Sequence, residues 1–156
     1  MKHSSLSIPL IALDTREQLP YEFPEWPVIR KALPTGDISL VGHEHVFTIE
    51  RKSQSDLLGC IFTSRFKAEL ERMKSYPYAF LAIESNLYRL SRCGQQGFYR
   101  GNPQAVIGFL QSVPLLYGVQ VLFLDNRETA QAYVAGLLEK HNRYSLNRIK
   151  RELALP

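Results

Sequence analysis

Three short apolar runs, each closing on a carboxylate, constrain this fold more than any other feature of the sequence. They are SIPLIALD at 7–14, YAFLAIE at 78–84 and VQVLFLD at 119–125. Runs of this length and composition read as buried strands. Between them the apolar spacing changes to threes and fours. In 53–76, Leu57, Leu58 and Ile61 share one face. Phe66, Leu70 and Met73 carry that face onward, on a second helix or on the same helix bent. Residues 102–118 read as a helix that Pro114 should kink or end. Residues 126–142 are amphipathic, with Ala130, Tyr133, Val134, Leu137 and Leu138 as the apolar stripe. Strands alternating with helices place the chain in the α/β class, with a central mixed β-sheet flanked by helices. At 156 residues it is read as a single domain, 1–156, with a core over 8–138 and a basic tail, 139–156, placed to extend the last helix.

Between the first and second buried runs lies a polar stretch. Residues 15–27 hold three prolines and read as loop, and 28–36 give short strand or helix pieces before a Pro34-Thr35-Gly36 turn. Then DISLV at 37–41 and HVFTIERK at 45–52 read as two strands joined by a tight turn near Gly42. The second of these ends on three consecutive charges, Glu50, Arg51 and Lys52. Because side chains alternate across a strand, Val46, Thr48, Glu50 and Lys52 share one face, while Phe47, Ile49 and Arg51 share the other. Glu50 and Lys52 therefore point the same way, about 7 Å apart along the strand. An antiparallel hairpin brings Asp37 back beside Glu50.

Two converging carboxylates need a compensating positive charge or a shared proton. A divalent cation such as magnesium, which takes hard oxygen ligands and keeps several waters, supplies that charge. Water on such a cation ionises more readily and can attack phosphorus, while a nearby lysine orients it and offsets developing negative charge. Asp37, Glu50 and Lys52 thus have the makings of a phosphodiester-cleaving device. Taken alone, the same three residues also describe a solvated salt-bridge cluster at a strand end. Ser53 through Asp56 reads as a capping box opening the next helix.

The elements ALDTRE at 12–17, GD at 36–37, IERKSQSD at 49–56 and SRF at 64–66 resemble the nuclease domain of the ERCC4-type, XPF-like structure-specific endonucleases. The likeness covers about 8–138. It implies a restriction-endonuclease-like core and cleavage of DNA dependent on Mg2+ or Mn2+. By the same resemblance Asp37 and Glu50 are metal ligands, joined by the Arg51 carbonyl. Lys52 is the catalytic lysine, and Asp14 and Glu17 are acidic residues beside the centre that can ligate a second metal. Arg16, Arg51 and Asp56 support the site, and Arg16 and Arg65 contact DNA. Branched, flap or fork DNA is the expected substrate and a homodimer the expected assembly. No helix-hairpin-helix module is read in the chain. The competing function is a non-catalytic DNA-binding or dimerisation subunit of a nuclease complex.

Elsewhere, residues 89–102 mix arginines, aromatics and glycines. Arg92, Phe98, Tyr99 and Arg100 there suit DNA contact, and equally a surface loop. Arg143, Arg148, Lys150 and Arg151 make a basic helix face that reads as solvated. His43 and His45 read as exposed turn residues, and Trp26 as a core plug or a dimer contact. The net charge of +4 fits a nucleic-acid partner without requiring one. Two cysteines, Cys60 and Cys93, form no metal-ligand series and read as reduced. No stretch approaches a membrane span or a cleaved leader, so a cytoplasmic setting in a prokaryotic or viral source is expected.

Overall fold

The computed structural model describes residues 8–95 and 99–153. Its strands are β1 (Ile11–Asp14), β2 (Val28–Lys31), β3 (Ile38–Leu40), β4 (Phe47–Ser53), β5 (Tyr78–Glu84) and β6 (Gln120–Phe123). They form one mixed sheet in the order β2-β1-β3-β4-β5-β6. Only β3 runs antiparallel to its neighbours; the other pairings are parallel. The helices are α1 (Gln54–Cys60), α2 (Ser64–Met73), α3 (Leu87–Leu90), α4 (Pro103–Tyr117) and α5 (Arg127–Glu152). This is the flanked mixed sheet expected from the alternation of patterns.

The alternation of side chains across β5 divides the core in two. Phe80 and Ala82 join Phe47, Ile49 and α5 residues Ala130, Val134 and Leu138 on one side. Ala79, Leu81 and Ile83 join residues of α1, α2 and α4 on the other. The stripe read for α5 is narrower than expected: Tyr133 is half exposed, and the fully buried positions are spaced by four. The proline-rich stretch 15–27 is not merely a surface loop, since it delivers Tyr21 and Phe23 into the first cluster.

The structure settles three local readings. The helical pattern of 53–76 is two helices, because Thr63 caps the second by accepting from the Phe66 N–H at 3.2 Å. Pro114 lies inside α4, in its last turn, and the helix runs on to Tyr117 before Gly118 at φ 66° closes it. The connection between β3 and β4 is not a tight turn. Gly42 takes φ 86° as the pattern requires, but the chain then winds through 43–46, where the Val46 and Phe47 N–H groups both donate to the His43 carbonyl. Glu44 anchors this wider loop to Lys31 at 2.7 Å. His43 is half-buried against α5, with its Nδ1 3.0 Å from His141 Nε2, while His45 is exposed as expected. Among the described residues, no helix is long and apolar enough to cross a membrane.

Candidate active site

β1 and β4 point the same way, and β3 between them runs opposite. The last residues of β1 and β4 therefore lie beside the first of β3. This juxtaposition brings Asp14, Asp37 and the charged end of β4 to one end of the sheet. The register is fixed by backbone hydrogen bonds: Asp14 N–H donates to the Asp37 carbonyl and Asp37 N–H to the Ile49 carbonyl, each at 2.8 Å. Gly36 makes the approach possible. It sits at φ 75°, and a Cβ there would collide with Thr48 Oγ1 and lie 3.0 Å from the Ile49 carbonyl oxygen.

The resulting pocket holds about 480 Å³, and its walls include Asp14, Glu17, Asp37, Glu50, Lys52 and Asp56, with Arg16, Arg65, Glu69 and Arg72 around them. Glu50 and Lys52 share the face predicted by strand parity, and they touch: Lys52 Nζ lies 2.8 Å from Glu50 Oε1. Asp37 accepts the Arg51 backbone N–H on Oδ2 at 2.7 Å. Burial, then the charge of Glu50, push the Asp37 carboxyl up to about 8, against the pull of that N–H. Burial also raises Glu50, although Lys52 opposes the shift. The two carboxyls therefore resist being ionised together. Burial disfavours the Lys52 ammonium, but Glu50 and Glu69 outweigh it and hold the group above the ordinary lysine range. Lys52 is a fixed cation and a hydrogen-bond donor here, not a base.

The other predicted residues divide by what they touch. Asp14 is buried, and both its oxygens are already engaged: Oδ1 by Arg16 N and Nε, Oδ2 by Arg16 Nη2 and the Leu33 N–H. Burial alone would raise its carboxyl, yet the Arg16 guanidinium and these N–H groups bring it down to about 2. Asp14 thus braces the loops behind the pocket, and Arg16 is its clamp, with a further bond to the Leu33 carbonyl. Glu17 accepts the Leu19 N–H and lies 3.8 Å from Arg51 Nη1. Asp56 receives a 2.6 Å hydrogen bond from Ser53 Oγ while its own N–H donates back to that oxygen, so it opens α1 as the capping pattern predicts. Arg65 is almost fully exposed at the rim, 3.6 Å from Glu69.

Arg51 contributes to the pocket wall, but its guanidinium turns to the opposite sheet face from Glu50 and Lys52, as parity requires, into the cluster under α5. Its guanidinium grips Glu84 of β5 with two bonds, 2.6 and 3.2 Å. Tyr21 Oη donates to the same carboxylate at 2.9 Å, and Arg127 of α5 approaches it at 3.8 Å. Arg51 also lies over the Tyr21 ring. Its partner is Glu84, and its place is that of a buried brace joining β4, β5, α5 and the 15–27 loop.

Three DNA-contact candidates lie outside the pocket walls. Arg92 packs its guanidinium over Tyr88, Arg100 is exposed, and Tyr99 leans on the second core cluster. Phe98 lies outside the described residues. Sequence reading missed Glu69, which reaches Lys52 at 3.4 Å from α2. Its position one turn after Arg65, between the buried Phe66 and Leu70, was the available signal. Among the described residues no three His, Cys, Asp or Glu side chains gather into a ready metal cage.

The arrangement has relatives. Residues 13–137 match the family model of the ERCC4 domain. No curated protein matches the chain. Among solved structures, XPF from Aeropyrum pernix resembles it with a TM-score of 0.64 and 23% identity, covering 88% of this chain and 61% of that one. The structure of XPF from Aeropyrum pernix in complex with DNA gives a TM-score of 0.64 and 24% identity, covering 90% of this chain and 66% of that one. The chain therefore spans less than two thirds of the length of these relatives, and at such identity the likeness is one of fold: the restriction-endonuclease-like α/β core. Given a family match from the end of β1 to the last core turn of α5, the chain belongs to the ERCC4 domain family.

Proposed function

We propose that this chain is a divalent-metal-dependent endonuclease that hydrolyses phosphodiester bonds in DNA, with branched, flap or fork structures as preferred substrates. One observation carries the reading: a buried carboxyl, Glu50, and a half-buried one, Asp37, line one open pocket where burial and mutual repulsion make both resist ionising, beside a lysine kept charged. A hard cation suits this set. Magnesium binds through one or two carboxylates and keeps its remaining positions for water and phosphate, so a full protein cage is not required. Asp37 and Glu50, with the Arg51 carbonyl, would hold it, and it would supply a water of lowered pKa and charge neutralisation at phosphorus.

The chain's own groups do the rest. Lys52 donates toward the oxygen on which negative charge develops, and Glu69 keeps its ammonium in place when Glu50 turns to a cation. Arg16, Arg65 and Arg72 line the pocket where an anionic backbone would lie. Glu17 stands between this pocket and the Arg51 brace, the acidic residue best placed to assist a second cation. A homodimer is the assembly that fits the family resemblance, and the DNA complex of the A. pernix relative supports DNA as ligand.

The test is cleavage of end-labelled duplex, flap, fork and four-way junction DNA with Mg2+ or Mn2+. Wild type is expected to nick at least one branched substrate. Lys52→Ala should lose about 10²–10³ in rate, the range for removing one charge-stabilising donor, and Glu50→Ala should be inactive. No cleavage under any metal, with DNA still bound, points instead to a non-catalytic subunit. Equal cleavage by both variants sinks the proposed site.

A further inference from the structure

One wall of the pocket belongs to no strand or helix. Arg16, Glu17, Gln18 and Leu19 form it, on the stretch between β1 and β2. Its place depends on groups that reach in from elsewhere. At its start, the Glu17 N–H donates to the Asp14 carbonyl at 3.3 Å. Arg30 of β2 adds a bond from Nη2 to the Glu17 carbonyl at 2.8 Å. At its end the holder is Arg127, in the first turn of α5 and 108 positions from Leu19. Arg127 Nη1 donates to the Leu19 carbonyl at 3.1 Å and Nη2 to the Pro20 carbonyl at 2.7 Å. The same guanidinium lies over the buried Tyr21 ring and 3.8 Å from the Glu84 carboxylate. A planar fork on two successive carbonyls fixes direction as well as distance. Gln131, one turn farther along α5, accepts the Glu22 N–H at 2.9 Å, so the attachment continues past the pocket. Beyond it Trp26 packs, partly buried, against the first core cluster.

Leu19 connects this hold to the chemistry. Arg127 takes its carbonyl, while its N–H donates to Glu17 Oε1 at 2.7 Å. That N–H is the nearer of two attractions on Glu17. The other is Arg51 Nη1, 3.8 Å away in the brace behind the pocket. Fixing Leu19 therefore decides between them. With Leu19 released, the Arg51 guanidinium would draw the Glu17 carboxylate inward, toward Glu84 and out of the pocket.

We infer that Arg127 is a positioning residue for the pocket: by holding the Leu19 and Pro20 carbonyls, it keeps the Glu17 carboxylate on the pocket side, where a divalent cation can reach it. This rests on the nuclease reading above. Arg127 itself does not line the pocket, so it acts only through the wall it holds.

Two measurements test it. In proton–nitrogen correlation spectra of the metal-free protein, the Leu19 amide, bonded to a carboxylate, marks where Glu17 is. Glu17→Gln and Arg127→Met should each move its proton resonance upfield. Arg127→Lys keeps the charge and can reach one carbonyl, so it should move the resonance less. All three variants should keep the wild-type circular dichroism spectrum; should Arg127→Met not fold, Arg127→Lys carries the same comparisons. In nicking assays, Arg127→Met should raise the Mg2+ concentration for half-maximal rate about 10–100-fold, the range for residues that orient metal ligands. Adding Arg127→Met to Glu17→Gln should cost nothing further, because both remove the same carboxylate. A Leu19 resonance unmoved by Arg127→Met overturns the inference, as does an unchanged Mg2+ dependence. So does a double variant whose loss is the product of the two single losses. If wild type nicks no DNA, the nuclease reading falls, and the Leu19 resonance alone decides whether Arg127 sets Glu17.

Discussion

Arg51→Met puts the buried brace to a quantitative test. Arg51 and Glu84 side chains are each only 7% exposed, and the pair is bidentate. Removing the guanidinium leaves a buried carboxylate with a tyrosine hydroxyl at 2.9 Å and a second guanidinium at 3.8 Å. Breaking a buried pair on one side costs about 3–5 kcal/mol, and the two remaining partners place this case near the lower end. At 2–4 °C per kcal/mol for a chain of this size, a cost of about 3 kcal/mol lowers the melting temperature by about 6–12 °C. Replacing both residues with methionines of similar volume removes the stranded charge. Arg51→Met/Glu84→Met should therefore recover most of the loss, with a coupling of at least about 2 kcal/mol in the double-mutant cycle. The assay is urea unfolding followed by circular dichroism at pH 7, without divalent cations. A cost below about 1 kcal/mol for Arg51→Met, or a coupling near zero, refutes the account of Arg51 as a charge whose value lies in Glu84.

Further outcomes follow from the same interactions. Because Asp37 is raised above the unfolded carboxyl range, it favours the protonated fold and its contribution declines as pH rises from about 4 to about 8. Asp37→Asn should accordingly raise the melting temperature at pH 7 without cations, and should abolish any rise that Mg2+ produces in wild type; a fall in stability contradicts the crowding of the two carboxyls. Burial, and then the neighbouring His43, depress His141 to about 4 where it packs on Phe47 and Tyr78. A histidine held neutral in the fold loses its stabilising effect as pH falls from about 6.5 toward 4, at most about 3 kcal/mol. His141→Leu should flatten that part of the stability–pH curve. Gly36→Ala forces a Cβ onto Thr48 at positive φ, and should cost more than about 2 kcal/mol while misplacing Asp37. A variant as stable as wild type, by thermal melting, contradicts the close approach.

Much of this was legible in the sequence because it depends on short-range periodicity. The two-residue repeat of a strand was enough to set Glu50 and Lys52 on one side and Arg51 on the other. The four-and-three spacing found the buried faces of α2 and most of α5. The missing information was long-range or geometric. Glu84 is 33 positions from Arg51 and becomes its partner only through the parallel pairing of β4 and β5. Glu69 meets Lys52 only because α2 lies across the sheet face that β4 presents. The loop at 41–46 depends on where Lys31 and His141 sit, which local turn chemistry does not encode. The place of Asp14 beside the centre came from the resemblance; its bonds to Arg16 and Leu33 depend on how the following loops fold back.

The chain places successive residues of β4 under opposite demands. Glu50 and Lys52 crowd charge into a pocket that strains against it, whereas Arg51 holds the scaffold together from behind. Loss of the front residues would then spare the scaffold, while loss of the back one would weaken it by stranding the Glu84 carboxylate. A silent copy of this fold should be recognisable by what it keeps: the arginine retained, its flanking acid and lysine gone.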